Sequence, residues 1–281
     1  MLSYRHAFHA GNHADVLKHI VLALCLDYLK QKEKPIWYID THAGAGCYAL
    51  TSSEARKNAE HDTGITPLLA ARAALPLFLA PFWEVIDQLH SNDQSQLYPG
   101  SPLFAAQLLR EQDRLRLFEM HPQDAPLLQQ QFVRDRRVVV ASSDGFAGMK
   151  ALLPPPSRRG LVLIDPPYEL KEDYRRVVTA LQQAQGRFST GTYAVWYPLL
   201  NRTDTPRMAE LLNTLQVPSL RVELNVRAPE KDFGMYGSGM FIINPPWLLH
   251  DQLKVLMPQL QMLLAKSGAS DFILQYSPAI A

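Results

Sequence analysis

The chain has 281 residues, 47% hydrophobic and 20% charged, with a formal net charge of +1. That is the make-up of a soluble globular protein of one large domain, and it argues against a broadly basic nucleic-acid coat while leaving room for a local basic patch. No apolar run reaches the roughly 18 residues of a membrane span, Met1–His6 is not followed by an apolar stretch, so no signal peptide is expected, and Cys25 and Cys47 are too few for a disulfide framework, so a reducing cytoplasm is expected.

Residues 1–14 are polar and rich in histidine. Asn12 then reads as a helix cap, with Asp15 three residues on as a variant capping box. Val16, Leu17, Ile20, Val21, Leu24 and Leu29 follow helical spacing, and Lys30–Lys34 with Pro35 end that helix. Residues 35–40, 115–119, 137–141, 161–165 and 192–197 read as buried strands, with further candidates at 220–226, 240–243 and 272–276. Helical patterns separate most of them, including 174–185, 206–215 and 248–264. Continuous apolar strands alternating with helices predict an α/β fold: a mostly parallel sheet covered on both faces. Residues 48–98 break the alternation. They are rich in alanine and leucine, are punctuated by Pro67, Pro76 and Pro81, and read as a small helical insertion between the first and second core strands of a single domain spanning 1–281.

Each early strand ends in residues suited to a ligand. The first runs into Asp40-Thr41-His42-Ala43-Gly44-Ala45-Gly46, where glycines let the backbone turn tightly at a strand's carboxyl end. The next ends in Phe118-Glu119, an acid of the kind that accepts hydrogen bonds from ribose hydroxyls. It lies farther from the glycine turn than the usual ~20 residues, by about the size of the insertion. A solvated strand end is the plainer reading of Glu119. The third is followed by Ser143-Asp144-Gly145, which is either a turn or a place for an adenine amine. The fourth, Leu161–Ile164, delivers Asp165-Pro166-Pro167-Tyr168. Two prolines cannot continue a ladder or a helix, but they can fix a carbonyl beside a carboxylate, in front of the amine of a flat heterocycle.

In this order, the turn, the two acids and Asp-Pro-Pro-Tyr resemble the class I, Rossmann-like S-adenosylmethionine-dependent methyltransferases that act on amines. Phe8–His19, Asp40–Gly46, Tyr98-Pro99-Gly100-Ser101-Pro102 and Ser157-Arg158-Arg159-Gly160 are further similar to the bacterial 23S ribosomal RNA adenine-N6 methyltransferase family, over essentially the whole chain. The resemblance implies methyl transfer to the N6 amine of an adenosine in 23S ribosomal RNA, with S-adenosyl-L-methionine as cofactor. It implies cofactor contacts from Lys18, His19, His42, Ser101, Glu119, Asp144, Gly145 and Asp165, and catalysis by Asp165 and Pro166 with Tyr168 stacking on the base. Tyr4 and His6 match positions near the target adenosine. A monomer is expected, with neither a metal nor a membrane involved.

Other readings compete. Asn244-Pro245-Pro246-Trp247 is a second motif of the same kind; it comes late in the sheet and reads as a strand end before a helix. The histidines at 6, 9, 13 and 19 match no zinc spacing. Arg134, Arg136 and Arg137 form one basic cluster. Arg158 with Arg159, and Lys171 with Arg175 and Arg176, form two more that are expected to meet phosphates near the active site. The Asp-Pro-Pro-Tyr chemistry would equally serve DNA adenines or a protein glutamine, and a binding-only protein handling external DNA is the alternative outside catalysis.

Overall fold

The computed structural model describes residues 5–91, 96–201, 204–229, 234–265 and 271–279. In chain order the elements are α1 (His13–Lys30), β1 (Trp37–Asp40), β2 (Cys47–Ala49), α2 (Ser53–Asn58), α3 (Ile65–Ala71), α4 (Ala80–His90), β3 (Leu97–Pro99) and α5 (Ser101–Leu108). Then follow β4 (Arg114–Phe118), α6 (Asp124–Phe132), β5 (Val138–Ala141), α7 (Gly145–Leu152), β6 (Gly160–Ile164), α8 (Lys171–Arg187) and β7 (Thr192–Leu199). The chain closes with α9 (Asp204–Asn213), β8 (Ser219–Asn225), β9 (Gly237–Ile243), α10 (Leu249–Leu264) and β10 (Phe272–Ser277).

Eight strands form one sheet in the order β10-β8-β9-β7-β6-β1-β4-β5. Neighbours from β5 to β7 are parallel, and β7, β9, β8 and β10 pair antiparallel. The expected mostly parallel sheet is therefore present, with an antiparallel flank. From β1 the chain runs outward through β4 to β5, then crosses back to β6 on the other side of β1. That reversal opens a crevice at the carboxyl ends of β1 and β6, where ligands bind in open α/β sheets.

Strand alternation divides the core. Leu161 and Leu163 point to one face with α1, α5 and α10; Val162 and Ile164 point to the other with α8 and α9. All five residues of β6 are buried, as a central parallel strand requires. Helix α1 departs from the amphipathic reading: every residue from Ala14 to Leu26 is buried, including Asp15, Lys18 and His19. The reason is tertiary, since α4, α5, α10 and β9 pack around it on several sides.

The stretch 48–98 carries α2, α3 and α4, and also a feature the helical expectation missed. Strands β2 and β3 form an antiparallel ribbon, with Tyr48 opposite Tyr98. Three-residue strands are too short to show a period. The ribbon closes the excursion at its neck: Gly100 N–H donates to the Gly46 carbonyl at 2.9 Å, so the chain re-enters where it left.

Candidate active site

The crevice holds a cavity of about 320 Å³. His6, Lys18, His19, His42, Ser101, Glu119, Asp144, Gly145, Asp165 and Pro166, residues singled out in the sequence, all line it. Tyr4 lies outside the described residues. Tyr168 is the one departure. It is only 4% exposed, its hydroxyl donates to the Trp196 carbonyl at 2.7 Å, and its ring packs on Tyr174. A left-handed backbone at Tyr168, φ 52°, accompanies the inward turn. The expected base-stacking face is thus buried, and Trp196, which lines the cavity, stands in that neighbourhood instead.

The wall on the β4 and β5 side is built from strand ends. Both oxygens of Glu119 are oriented by backbone: Gly44 N–H donates to one at 2.7 Å and His121 N–H to the other at 2.6 Å. Gly44 has φ 63°, which aims that N–H across the turn. Burial raises the Glu119 carboxyl above its ordinary range, against the pull of those two donors. Asp144 caps α7 by accepting from Phe146 and Ala147 N–H, at 2.8 and 3.1 Å, and its second oxygen takes Arg176 at 2.7 Å. Burial disfavours that charge, but the helix donors and Arg176 outweigh it and hold the carboxyl low. Gly145 is a requirement of packing: a Cβ there would lie 2.0 Å from the Thr41 carbonyl oxygen.

The floor is a buried polar network. Asp40 is fully buried and accepts from Tyr38 at 2.6 Å and Ser101 at 2.7 Å. Burial, with the nearby Asp165, pushes its carboxyl up to about 6, although the two hydroxyls pull the other way. His42 sits with Nδ1 2.8 Å from the Thr41 hydroxyl and its ring edge on Phe146. Burial pushes its imidazole down to about 4.

On the α1 side, Lys18 Nζ donates to Asp165 Oδ2 at 2.6 Å and lies 3.0 Å from Asp15 Oδ1. Burial opposes the ammonium charge, yet the two carboxylates outweigh it and raise its pKa. His19 stacks on Phe104, with Nδ1 3.0 Å from the Tyr98 hydroxyl. Asn12 caps α1 as expected, accepting from Ala14 and Asp15 N–H. Asp15 does not close a capping box; it turns to Gly11 N–H and His6. Asp15, Phe146 and Trp196 are the site residues to which sequence reasoning gave no role in the site, and Asp40 and Thr41, though inside the quoted glycine-turn motif, were given none of their own. A buried acid on an apolar helix, Asp15, was the available signal.

Other sequence features fall elsewhere. Asn244 follows β9, which runs antiparallel to β7, so Ile243 pairs with Tyr193 near the start of β7. It therefore lies at the opposite edge of the sheet. Arg159 precedes β6 at that same edge and donates to the carbonyls of Leu29, Lys32 and Lys34. The six residue steps along β6 from Arg159 to Asp165 put them about 20 Å apart, which overturns the expectation that this pair meets phosphates beside the site. Arg137 is occupied by Asp135 and the carbonyls of Ala106 and Leu109. Arg176 does border the cavity, stacked over Phe146. Among the described residues no group of His, Cys, Asp and Glu could hold a metal ion, and no helix is long and apolar enough to cross a membrane.

Comparison with known proteins agrees with this geometry. The family model described as "Ribosomal RNA large subunit methyltransferase D, RlmJ" matches residues 33–274. Two proteins named Ribosomal RNA large subunit methyltransferase J are each 48% identical to the chain. The one from Haemophilus influenzae aligns over 98% of this chain and 99% of its own length. The one from Escherichia coli strain K12 aligns over 95% and 96%. A crystal structure of a Legionella pneumophila protein superposes with a TM-score of 0.88 at 39% identity, covering 95% of this chain and 98% of that one. A cavity at the switch point walled by Glu119, Asp144 and Asp165, together with 48% identity to these proteins over nearly the full length, establishes that the chain belongs to this ribosomal RNA large subunit methyltransferase family.

Proposed function

We propose that this protein transfers a methyl group from S-adenosylmethionine to the exocyclic N6 amine of an adenosine in 23S ribosomal RNA, as a cytoplasmic monomer. The observation that carries the reading is Asp165 itself. Lys18 holds Oδ2 at 2.6 Å, while Oδ1 takes no hydrogen bond among the described residues, at the carboxyl end of a strand buried along its whole length. The donor set fits the cofactor. An ionised carboxylate has about four acceptor sites, and Glu119 uses one on each oxygen for backbone, leaving two for ribose hydroxyls. Asp144, Gly145 and Phe146 offer an acid and an apolar ring for the adenine, with Lys18, His19, His42 and Ser101 around the remainder.

The bound cofactor supplies an electrophilic methyl on a sulfonium. The chain's part is to make a poor nucleophile competent. In this reading Asp165 and the Pro166 carbonyl accept hydrogen bonds from the N6 amine, draw its nitrogen towards a tetrahedral geometry and aim its lone pair. The fixed proline torsions preorganise that pair of acceptors. With Tyr168 turned inward, Trp196 takes the role of base platform. The target has to leave its stack, which an unpaired or loop adenine does most easily. His6 borders the entrance. Lys171 and Arg175 lie near the turn and are assigned to RNA phosphates, so each charge removed should flatten the salt dependence of binding by about one unit of slope.

We further propose that residues 1–281 form a single methyltransferase domain with 48–98 as an insertion. One calorimetric transition is expected; two would reject it. The activity is tested by offering labelled S-adenosylmethionine with unmodified 23S RNA, 16S RNA, duplex DNA and protein. Label in 23S RNA alone, recovered as N6-methyladenosine, is the expected result. Label in DNA or protein would change the substrate, and cofactor binding without transfer to any of them would favour a binding role.

A further inference from the structure

Asp15 has no part in the reaction as described, yet it is 1% exposed and is linked to Asp165 through Lys18. Its Oδ2 accepts from Gly11 N–H at 2.9 Å and lies 2.8 Å from His6 Nε2; its Oδ1 lies 3.0 Å from Lys18 Nζ and 3.9 Å from His19 Nε2. Lys18 goes on to Asp165. One ammonium is therefore shared between two carboxylates. The other titratable groups that feel Asp15 are Tyr48, Tyr98, His9 and His13. Those that feel Asp165 include Tyr38, Asp40, His42 and Tyr168. Burial holds the four tyrosine hydroxyls in their neutral form, and pushes His13, like His42, down to about 4. His9 is paired with Glu60.

A lone Lys18–Asp165 pair would present no net charge to the cavity. Asp15 adds one negative charge to that pair, an excess over Lys18 and Asp165 taken alone. We propose that Asp15 is a positioning residue that maintains this excess, so that the cavity favours a cationic methyl donor over its neutral demethylated product. During transfer the amine lone pair forms the new N–C bond, the S–C bonding pair returns to sulfur, and the positive charge moves from sulfur to N6, beside Asp165. The methylated N6 then loses one proton to solvent and becomes neutral. The excess charge follows the cation through the step, and the neutral product loses its electrostatic hold. In a buried, low-dielectric setting one unit charge within several ångströms shifts an equilibrium about tenfold or more.

The inference rests on S-adenosylmethionine being the cofactor, and its test separates the two. Dissociation constants for S-adenosylmethionine and S-adenosylhomocysteine are measured calorimetrically at about pH 8 on the full chain. The proteins are wild type, Asp15→Asn, and Asp15→Asn combined with Lys18→Gln. Asp15→Asn should weaken the cation about tenfold and the neutral ligand less than about twofold. The double variant again leaves one carboxylate in excess and should return the ratio to within about threefold of wild type, although both affinities fall. A structural role would move both ligands together. Equal changes, no change, or a double variant as indifferent as Asp15→Asn would overturn the proposal. If Asp15→Asn fails to fold, Lys18→Gln takes its place: it leaves Asp15 and Asp165 both unbalanced and should raise the preference for the cation about tenfold over wild type, and an unchanged ratio would overturn the proposal. Wild-type protein that binds neither ligand would refute the cofactor reading, and this inference with it.

Discussion

Asp165-Pro166-Pro167-Tyr168 and Asn244-Pro245-Pro246-Trp247 follow strands that are buried along their whole length. Each turn contains a left-handed residue, Tyr168 at φ 52° and Asn244 at φ 50°. Their surroundings differ completely. Asp165 meets the ammonium of Lys18 inside a cavity, while Asn244 spends its amide on the carbonyls of Ser189 and Gly191 and ties a loop together. The aromatic residues are reversed as well, with Tyr168 buried and Trp247 82% exposed. Strand direction explains the contrast. β6 is parallel to β1 and ends at the switch point; β9 is antiparallel to β7 and ends at the opposite edge. A short motif acquires chemistry from the end of the sheet on which it falls.

The two aromatic sites offer the sharpest way to break this comparison. Trp196→Ala should cut turnover on the RNA substrate by roughly 10- to 100-fold, the worth of one base–aromatic stack, whereas Trp247→Ala should leave it within about twofold. Equal losses in a steady-state assay would mean that the exposed ring also meets substrate. Gly145→Ala comes next. The crowding of its Cβ against Thr41 should weaken cofactor binding by about tenfold and cost about 1–3 kcal/mol of stability, both readable by calorimetry. Tyr168→Phe removes the hydroxyl's bond to the Trp196 carbonyl and its weaker contact with the Met208 sulfur, so a loss of about 1 kcal/mol with turnover nearly unchanged is expected. Turnover falling without a stability change would restore Tyr168 to the reaction.

The smallest effect is a pH dependence at the same edge. His42 has its imidazole pushed down to about 4 from an ordinary value near 6.5. The unfolded chain therefore takes up that proton first, and stability present at neutral pH is lost as pH falls from 6.5 through 4. Asp40, raised to about 6, acts in the opposite sense: the folded state binds its proton first, so its contribution grows as pH falls through 6 towards the unfolded value. His42→Asn should shrink the drop in Tm between pH 7 and pH 5; an unchanged drop would assign the acid sensitivity to other groups.

Much of this was legible in the sequence. The apolar run 161–164 announces a central strand, and the acids at successive strand ends mark one edge of a parallel sheet, because strands of the same direction put their carboxyl ends together. Glu119 was harder to place, since the insertion lengthens its spacing from Gly44 while the β2–β3 ribbon keeps the two in contact. What stayed hidden depends on tertiary packing. Asp15 has the sequence context of a cap, and only the close packing of α1 turns it inward. The burial of Tyr168 follows from its packing against Tyr174 on α8 and Trp196 on β7, contacts that no local pattern encodes. Arg158 and Arg159 looked close to the motif because sequence distance ignores the length of the strand between.

The most direct measurement is single-turnover methyl transfer to 23S RNA by Asp165→Ala and Asn244→Ala, with the stability of each measured alongside. The account predicts that Asp165→Ala loses at least about 100-fold in rate while still binding cofactor. Asn244→Ala should keep a rate within about twofold of wild type and lose about 1–2 kcal/mol of stability. A slow Asn244→Ala with an active Asp165→Ala would contradict it, and would move the chemistry to the other edge of the sheet.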